Sequence, residues 1–236
     1  MMPNMMKVAL KNLALAAALT GTVLLTGCAT TTPSVPITKQ QVFPAVYGEK
    51  PASILVLPAI NHSTAADAPL LYSASIAQPL TEQGYYVLPI PVTNTMLEQA
   101  GISDGAQLLA VPPQKFGQMI GADAILFVTI DSWDTSYYVM GGEVTVGLTF
   151  KLISTKTGER LWNFHNQVVI NTGSNSQDPL VALIETAIKT AQQDYFPIAQ
   201  QVNYGSVAVL PYGKFHPQTG VDATQNSSEK FNPPEE

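Results

Sequence analysis

Ala124-Ile125-Leu126-Phe127-Val128-Thr129-Ile130 carries no charge and is rich in β-branched and aromatic side chains. A run of that kind reads as a strand buried on both faces, which belongs inside an α/β sheet. Past Asp131 the pattern changes to strict alternation. Val144, Val146, Leu148, Phe150 and Leu152 point one way, and Glu143, Thr145, Thr149 and Lys151 the other. Trp162, Phe164, Val168 and Ile170 repeat the theme. This half predicts an antiparallel meander with one wet face, turning at Gly141-Gly142 and at Lys156-Thr157-Gly158.

On the amino-terminal side, Ser53-Ile54-Leu55-Val56-Leu57-Pro58 is a second buried strand, stopped by proline. Asp67-Ala68-Pro69 starts a helix, with Asp as N-cap and Pro in the first turn. Tyr72, Ile76 and Leu80 share one face of it, Pro79 inside it predicts a bend, and Gly84 ends it. Tyr85–Ile90 then reads as a third buried strand, so the domain opens with a βαβ unit crossing over right-handed. Helical pieces follow at Thr93–Ala100, Asp104–Ala110 and Pro112–Ile120. On the carboxy-terminal side, Asp178-Pro179 predicts a helix with the stripe Leu180, Ile184, Ala187, Ile188, Ala191 and Tyr195, closed by Pro197. Val207–Pro211 offers a last edge strand. The expected fold class is α/β: a mixed sheet with a βαβ start, an antiparallel meander and helices packed on the sheet.

The chain has 236 residues, of which 46% are hydrophobic and only 12% charged. That is too apolar for a disordered chain and unusually poor in charge for a globular one. The formal net charge of −6 argues against nucleic acid as a partner, because phosphate neutralisation needs a basic face. A single cysteine excludes a disulfide framework or a zinc ribbon supplied by this chain alone.

That cysteine ends the amino-terminal segment. Lys7 and Lys11 form a positive region, and Leu13–Leu25 is a short apolar run. As a helix it would reach only ~20 Å against a hydrocarbon core of ~30 Å, which is signal-peptide length. Leu25-Thr26-Gly27-Cys28 resembles the lipobox of bacterial lipoproteins, with cleavage between Gly27 and Cys28 and lipidation of the Cys28 thiol. Two or three acyl chains give a stable membrane anchor. Cleavage would remove both lysines and no acidic group, leaving a more negative body that anionic lipid repels. The expected organisation is a signal peptide over 1–27, lipidated cysteine and tether over 28–51, a single α/β domain over 52–211 and a flexible tail over 212–236.

Motifs that carry chemistry are sparse. No phosphate-cradling glycine loop is present, and His62, His165 and His216 lie far apart, so neither a cofactor nor a metal site is expected. Asp131, Asp134 and Glu143 read as solvated carboxylates near a strand end. Gly101-Ile102-Ser103-Asp104-Gly105 has the form of a nucleophile elbow, but that device needs a strand before the serine, and Thr95–Ala100 reads as helix. The simpler reading makes Gly101 a helix C-cap and Ser103 or Asp104 an N-cap, with no catalytic residue. Trp133, Tyr137 and Tyr138, alternating past the central strand, are either core or an exposed patch, and are the candidate partner surface.

Four segments carry a resemblance as a set: Ile54-Leu55-Val56-Leu57-Pro58, Gln83-Gly84-Tyr85-Tyr86-Val87, Gly121-Ala122-Asp123-Ala124-Ile125-Leu126, and Lys156-Thr157-Gly158-Glu159-Arg160-Leu161-Trp162. Together with the lipobox they resemble the bacterial lipoprotein family typified by the genome-derived Neisseria antigen lipoprotein. The third and fourth are also similar to the domains of CsgG-type secretion lipoproteins and to the TolB amino-terminal domain. The resemblance implies a TolB-like fold and an outer-membrane location facing the periplasm, which Ala29 after the cysteine also favours. It further implies a role as a non-enzymatic accessory or assembly subunit, with a CsgG-like lipoprotein and a small companion lipoprotein as partners. A homodimer through an edge strand is a further expectation. Alternatives are an envelope module binding peptidoglycan or polysaccharide, and a serine esterase using Ser103.

Overall fold

In the computed structural model, which describes residues 37–138, 141–171 and 195–227, two short helices enter the fold: α1 (Lys39–Val42) and α2 (Pro44–Glu49). Strand β1 (Ser53–Val56) and a two-residue β2 (Ile60–Asn61) lead to helix α3 (Ala68–Glu82). Strand β3 (Tyr86–Val87), helix α4 (Ile90–Gln99), a 3-10 turn at Gly105–Leu108 and helix α5 (Pro113–Ile120) follow. The meander is β4 (Ala124–Tyr138), β5 (Gly141–Ser154) and β6 (Arg160–Asn171). Helix α6 (Phe196–Val207) and a 3-10 turn at Val221–Thr224 complete the described chain, all within one unit spanning Pro36–Glu236.

The sheet order is β3-β1-β4-β5-β6, with β2 pairing β4 beyond the end of β1. β1 is parallel to both β3 and β4, and the two long hairpin pairs are antiparallel. The uncharged run at 124–130 is therefore the middle strand of the ordered path, as its composition implies.

Period-2 alternation splits β1 between two cores. Ile54 and Val56 face α3, α6 and the amino-terminal helices, joined there by Leu126, Val128, Val146, Leu148, Phe150 and Trp162. Leu55 and Leu57 face the opposite side, where Ile125 and Phe127 meet Leu97, Leu108 and Phe116. One face of the sheet is thus covered along the meander, while the other is covered only over β1 and the start of β4. That asymmetry is why the first strands read as continuous apolar runs and the later ones alternate.

Several expectations are corrected. The Tyr85–Ile90 run is not a buried strand: only Tyr86 and Val87 pair, at the sheet edge, and Tyr86 is 57% exposed. Asp67 precedes α3 without a side-chain capping bond. Gly141 and Gly142 are paired within β5, opposite Tyr138 and Tyr137, and so do not form the turn. Pro197 stands in the first turn of α6, where its missing N–H costs nothing, and so opens a helix where it was expected to close one. Val207 ends that helix and Leu210 is fully buried in a turn, so no edge strand forms there. The expected helix over 178–196 lies outside the described residues apart from Tyr195 and Phe196.

The domain boundaries also move outward. Phe43 and Val46, placed in the tether, are 3% exposed. Residues 212–227, placed in the flexible tail, lie against the domain. Gly213 N–H donates to Gln83 at 2.8 Å, Phe215 N–H to Gly84 at 3.0 Å, and Thr38 bridges to Asn226.

Candidate functional site

Parallel strands end where their neighbours diverge, and the crevice beyond their carboxyl ends is the usual ligand position in open α/β sheets. Such a cleft exists here, about 240 Å³, between Pro58 and Asn61 after β1, Leu70 and Ser73 of α3, and Asn94 and Glu98 of α4. Its floor includes Ser103 and Asp104 of the Gly-x-Ser-x-Gly run.

The run itself is a helix end followed by a 3-10 start. Gly101 takes φ +82°, the left-handed turn that releases the chain from α4. Gln107 Oε1 accepts from Ser103 N at 2.9 Å and Asp104 N at 3.1 Å, while Asp104 Oδ1 accepts from Ala106 N at 2.7 Å. This is a reciprocal capping box. No strand precedes Ser103 and no histidine lines the cleft, so the nucleophile-elbow reading is overturned. The lining instead offers neutral groups and two carboxylates, with Asn94 Oδ1 buried and unpartnered among the described residues.

A second cluster crosses the uncovered face of the meander. Thr149 Oγ1 lies 2.6 Å from Asp131 Oδ2 and 2.9 Å from His165 Nδ1, and the two partners are 3.5 Å apart. The single hydroxyl proton goes to the carboxylate, so His165 Nδ1–H must donate to the threonine oxygen. In a hydrolytic triad the carboxylate orients the imidazole nitrogen opposite the one that takes the proton. Here carboxylate and imidazole meet the same hydroxyl, and both are well exposed, so the set is a surface hydrogen-bond bridge linking β4, β5 and β6. Asp134 and Glu143 stay apart from it, opposite Thr145 and Ser136. No group of three His, Cys, Asp or Glu able to hold a metal exists among the described residues. His62 donates its backbone N–H to Ile130, and His216 stacks on Tyr212 at 3.7 Å.

The expected partner surface loses Trp133, which is 4% exposed and packs in the main core with its Nε1 buried and without a hydrogen-bond partner among the described residues. Tyr137 and Tyr138 belong to β4 and pair with β5, but their side chains lie outside what is described. Cys28 and Gly27 also lie outside the described residues.

One site could not be read from the sequence. Asp222 is completely buried, accepting from Tyr212 N at 3.0 Å and pairing with Lys39 Nζ at 3.5 Å. Burial first and the nearby Asp222 carboxylate second push the Tyr47 phenol well above its usual range. Both partners of the ion pair sit in stretches whose composition reads as linker, and nothing in their spacing signals the contact.

The profile of the family described as "Putative lipoprotein GNA1162-like" matches residues 43–209. The chain is similar to "Putative lipoprotein NMB1124/NMB1162" of Neisseria meningitidis serogroup B, 36% identical over 141 residues, which is 59% of this chain. The match spans 65% of that relative's own length, less than two thirds. Among solved structures, lipoprotein GNA1162 from Neisseria meningitidis is 36% identical over 59% of this chain and 96% of its own, with a TM-score of 0.49. A PelC dodecamer from Paraburkholderia phytofirmans is 18% identical over 64% of this chain and 90% of its own, with a TM-score of 0.38. The family profile covers well over half of the chain, from the buried Phe43 through the sheet to the end of α6, and the chain therefore belongs to the GNA1162-like lipoprotein family.

Proposed function

We propose that this protein is an outer-membrane lipoprotein, acylated on Cys28 and facing the periplasm, that serves as a non-enzymatic accessory or assembly subunit of a CsgG-like secretion or envelope complex. A CsgG-like lipoprotein and a small companion lipoprotein are its partners in this reading. One observation carries it. Both faces of β1 and of the start of β4 are packed, whereas β5 and β6 keep a polar outer face and β6 has an outer edge that no described strand pairs. A half-covered sheet held by a lipid tether presents a rigid surface to another envelope protein.

The test is in-cell photo-cross-linking of the full-length protein from positions 165, 167 and 169 on the open face, followed by mass spectrometry. Adducts with a channel-forming or companion lipoprotein are expected. Adducts only between copies of this chain, or none from any position, would sink the assembly reading.

The cleft at the end of β1 favours a second reading, an envelope glycan or peptide ligand held by neutral donors beside Glu98 and Asp104. Sedimentation with isolated sacculi separates the two readings. Wild-type protein that stays in solution, with or without Asn94→Ala, removes the ligand-binding alternative.

A further inference from the structure

Helices α3 and α4 pack on opposite faces of the sheet, through Tyr72 and Ile76 on one side and Leu97 on the other. Both flank the carboxyl end of β1, so the cleft of about 240 Å³ opens between two layers that the cores hold in place. Gly105 completes its floor: the 3-10 turn lies so close to the Pro58 carbonyl that any Cβ there would collide with it. Ser103 and Asp104 are thereby held beside the end of β1. A volume below the ~300 Å³ of the smallest drug-sized pockets suits a single side chain.

The polar chemistry of this cleft is one-sided. Glu98 and Asp104 line it, and no lysine, arginine or histidine does. Among the described residues neither carboxylate takes part in an ion pair. Asp104 Oδ1 accepts from Ala106 N at 2.7 Å, which leaves Oδ2 for a ligand. Asn94 stands one turn before Glu98 on the same side of α4, and its Oδ1 is a buried acceptor without a donor among the described residues. Two of the neutral donors are already spent within the chain: Asn61 Nδ2 donates to Ala65 O at 2.9 Å, and Ser73 Oγ to Leu70 O at 3.0 Å. Pro58, Pro69, Leu70 and Ile102 supply aliphatic walls. Open acceptors, negative charge without a counter-charge and apolar walls together form the complement of an alkylammonium group.

We propose that the cleft binds a short peptide through an aliphatic side chain ending in a primary ammonium. The ammonium meets Glu98 and Asp104, and its methylene stem lies along Leu70 and Ile102. Ser103 Oγ and Asn94 Nδ2 remain as donors for the peptide's carbonyl groups. This inference rests on the second reading above, that the cleft takes an envelope ligand, and assigns that ligand its chemistry.

The test titrates the full chain, in zwitterionic detergent and with isotope-labelled amides, against three probes followed by nuclear magnetic resonance. They are acetyl-lysine methylamide, the norleucine counterpart with the same stem and no charge, and N-acetylglucosamine. The lysine probe should shift the amides of Asn61 and of Asn94–Asp104, and bind about tenfold more tightly than the norleucine probe. Glu98→Gln and Asp104→Asn should each weaken lysine binding about tenfold and leave norleucine binding unchanged. Asp104→Asn keeps the oxygen that caps Ala106, so the turn survives the substitution. Raising salt from about 0.05 to about 0.5 M should weaken the lysine complex alone. If the norleucine or sugar probe shifts the same amides as strongly as lysine, the cleft is still a ligand site and the ammonium proposal is overturned. If no probe shifts them, the proposal and the second reading fall together. Lysine binding that is undiminished in both variants also overturns the proposal, because its charge would then be met elsewhere.

Discussion

Lys39 and Asp222 close an ion pair at 3.5 Å in which the carboxylate is fully buried and the lysine side chain is 13% exposed. The pair ties the first helical turn of the domain to a 3-10 turn near its carboxy terminus. Asp222 also accepts from the Tyr212 backbone, and Lys39 lies 5.6 Å from the Tyr212 ring. A buried pair is weak as net stabilisation but costly to break on one side, since the other charge is left uncompensated. Asp222→Ala and Lys39→Ala should each lower unfolding stability by about 3 kcal/mol, with the joint Lys39→Met, Asp222→Leu variant losing less than either. Urea unfolding followed by tryptophan fluorescence measures all three. Additive losses in the double variant would show that the two groups are not coupled.

Tyr72 and Tyr85 are both buried, yet they use their hydroxyls differently. Tyr85 donates to Pro211 O at 2.8 Å, whereas Tyr72 Oη has no partner among the described residues. Burial raises both phenols far above their usual pKa. Above about pH 10 the unfolded chain therefore releases these protons while the folded chain keeps them, and stability falls as pH rises. The contribution is complete below pH 10. Tyr72→Phe should gain about 1 kcal/mol at pH 7 and show a shallower decline between pH 10 and 11, while Tyr85→Phe should lose about 1 kcal/mol at pH 7. Chemical denaturation at the two pH values decides both, and a destabilised Tyr72→Phe would mean the hydroxyl is satisfied in solution.

The contrast between what the residues announced and what they concealed has a physical cause. The meander is legible because one covered face imposes alternation, and Val144, Val146, Leu148, Phe150 and Leu152 are buried as their spacing implies. The βαβ start was legible because β1 is packed on both faces. Edge strand β3 is hidden in the sequence because Tyr85 and Tyr86 look alike there, although Tyr85 is buried under the 212–216 segment and Tyr86 faces solvent. The ordered ends were missed because their stability comes from long-range contacts such as Lys39 with Asp222, which leave no local periodicity. The serine motif is legible as a cap because a helix, not a strand, leads into it. The Asp131–Thr149–His165 bridge depends on strand register across three strands, including a bulge after Ile130, and no single-strand pattern encodes that.

Asp123 shows what the Gly121-Ala122-Asp123 run does. Its Oδ2 accepts from Ala52 N, Ser53 N and Ser53 Oγ, each at 3.0 Å, and Ser53 Oγ accepts in return from Asp123 N at 2.9 Å. The carboxylate thereby sets β1 against β4 one residue before the Ile54–Ala124 pair. Asp123→Ala should cost about 2 kcal/mol and Asp123→Asn about half of that, since an amide oxygen still accepts but without charge. Equal losses for the two variants in urea midpoints would show that the charge is irrelevant to the clamp.

Gly84 joins the end of α3 to the carboxy-terminal segment. It takes φ +92°, where only glycine is unstrained, and a Cβ there would sit 2.5 Å from His216 Cβ and press on the His216 backbone. Its carbonyl accepts from Phe215 N at 3.0 Å, and Gly213 lies so close that a Cβ there would also meet that carbonyl. Alanine at this position meets both penalties at once: about 1 kcal/mol for the left-handed backbone, and displacement of a backbone that cannot swing away. Gly84→Ala should therefore lose more than about 2 kcal/mol, and the loss should be local first. Hydrogen exchange should accelerate across residues 212–224 before it changes in β4 and β5. If the variant instead lost protection evenly over the whole sheet, the carboxy-terminal segment would be an inseparable part of the cooperative core, with no separate unit docking through Gly84.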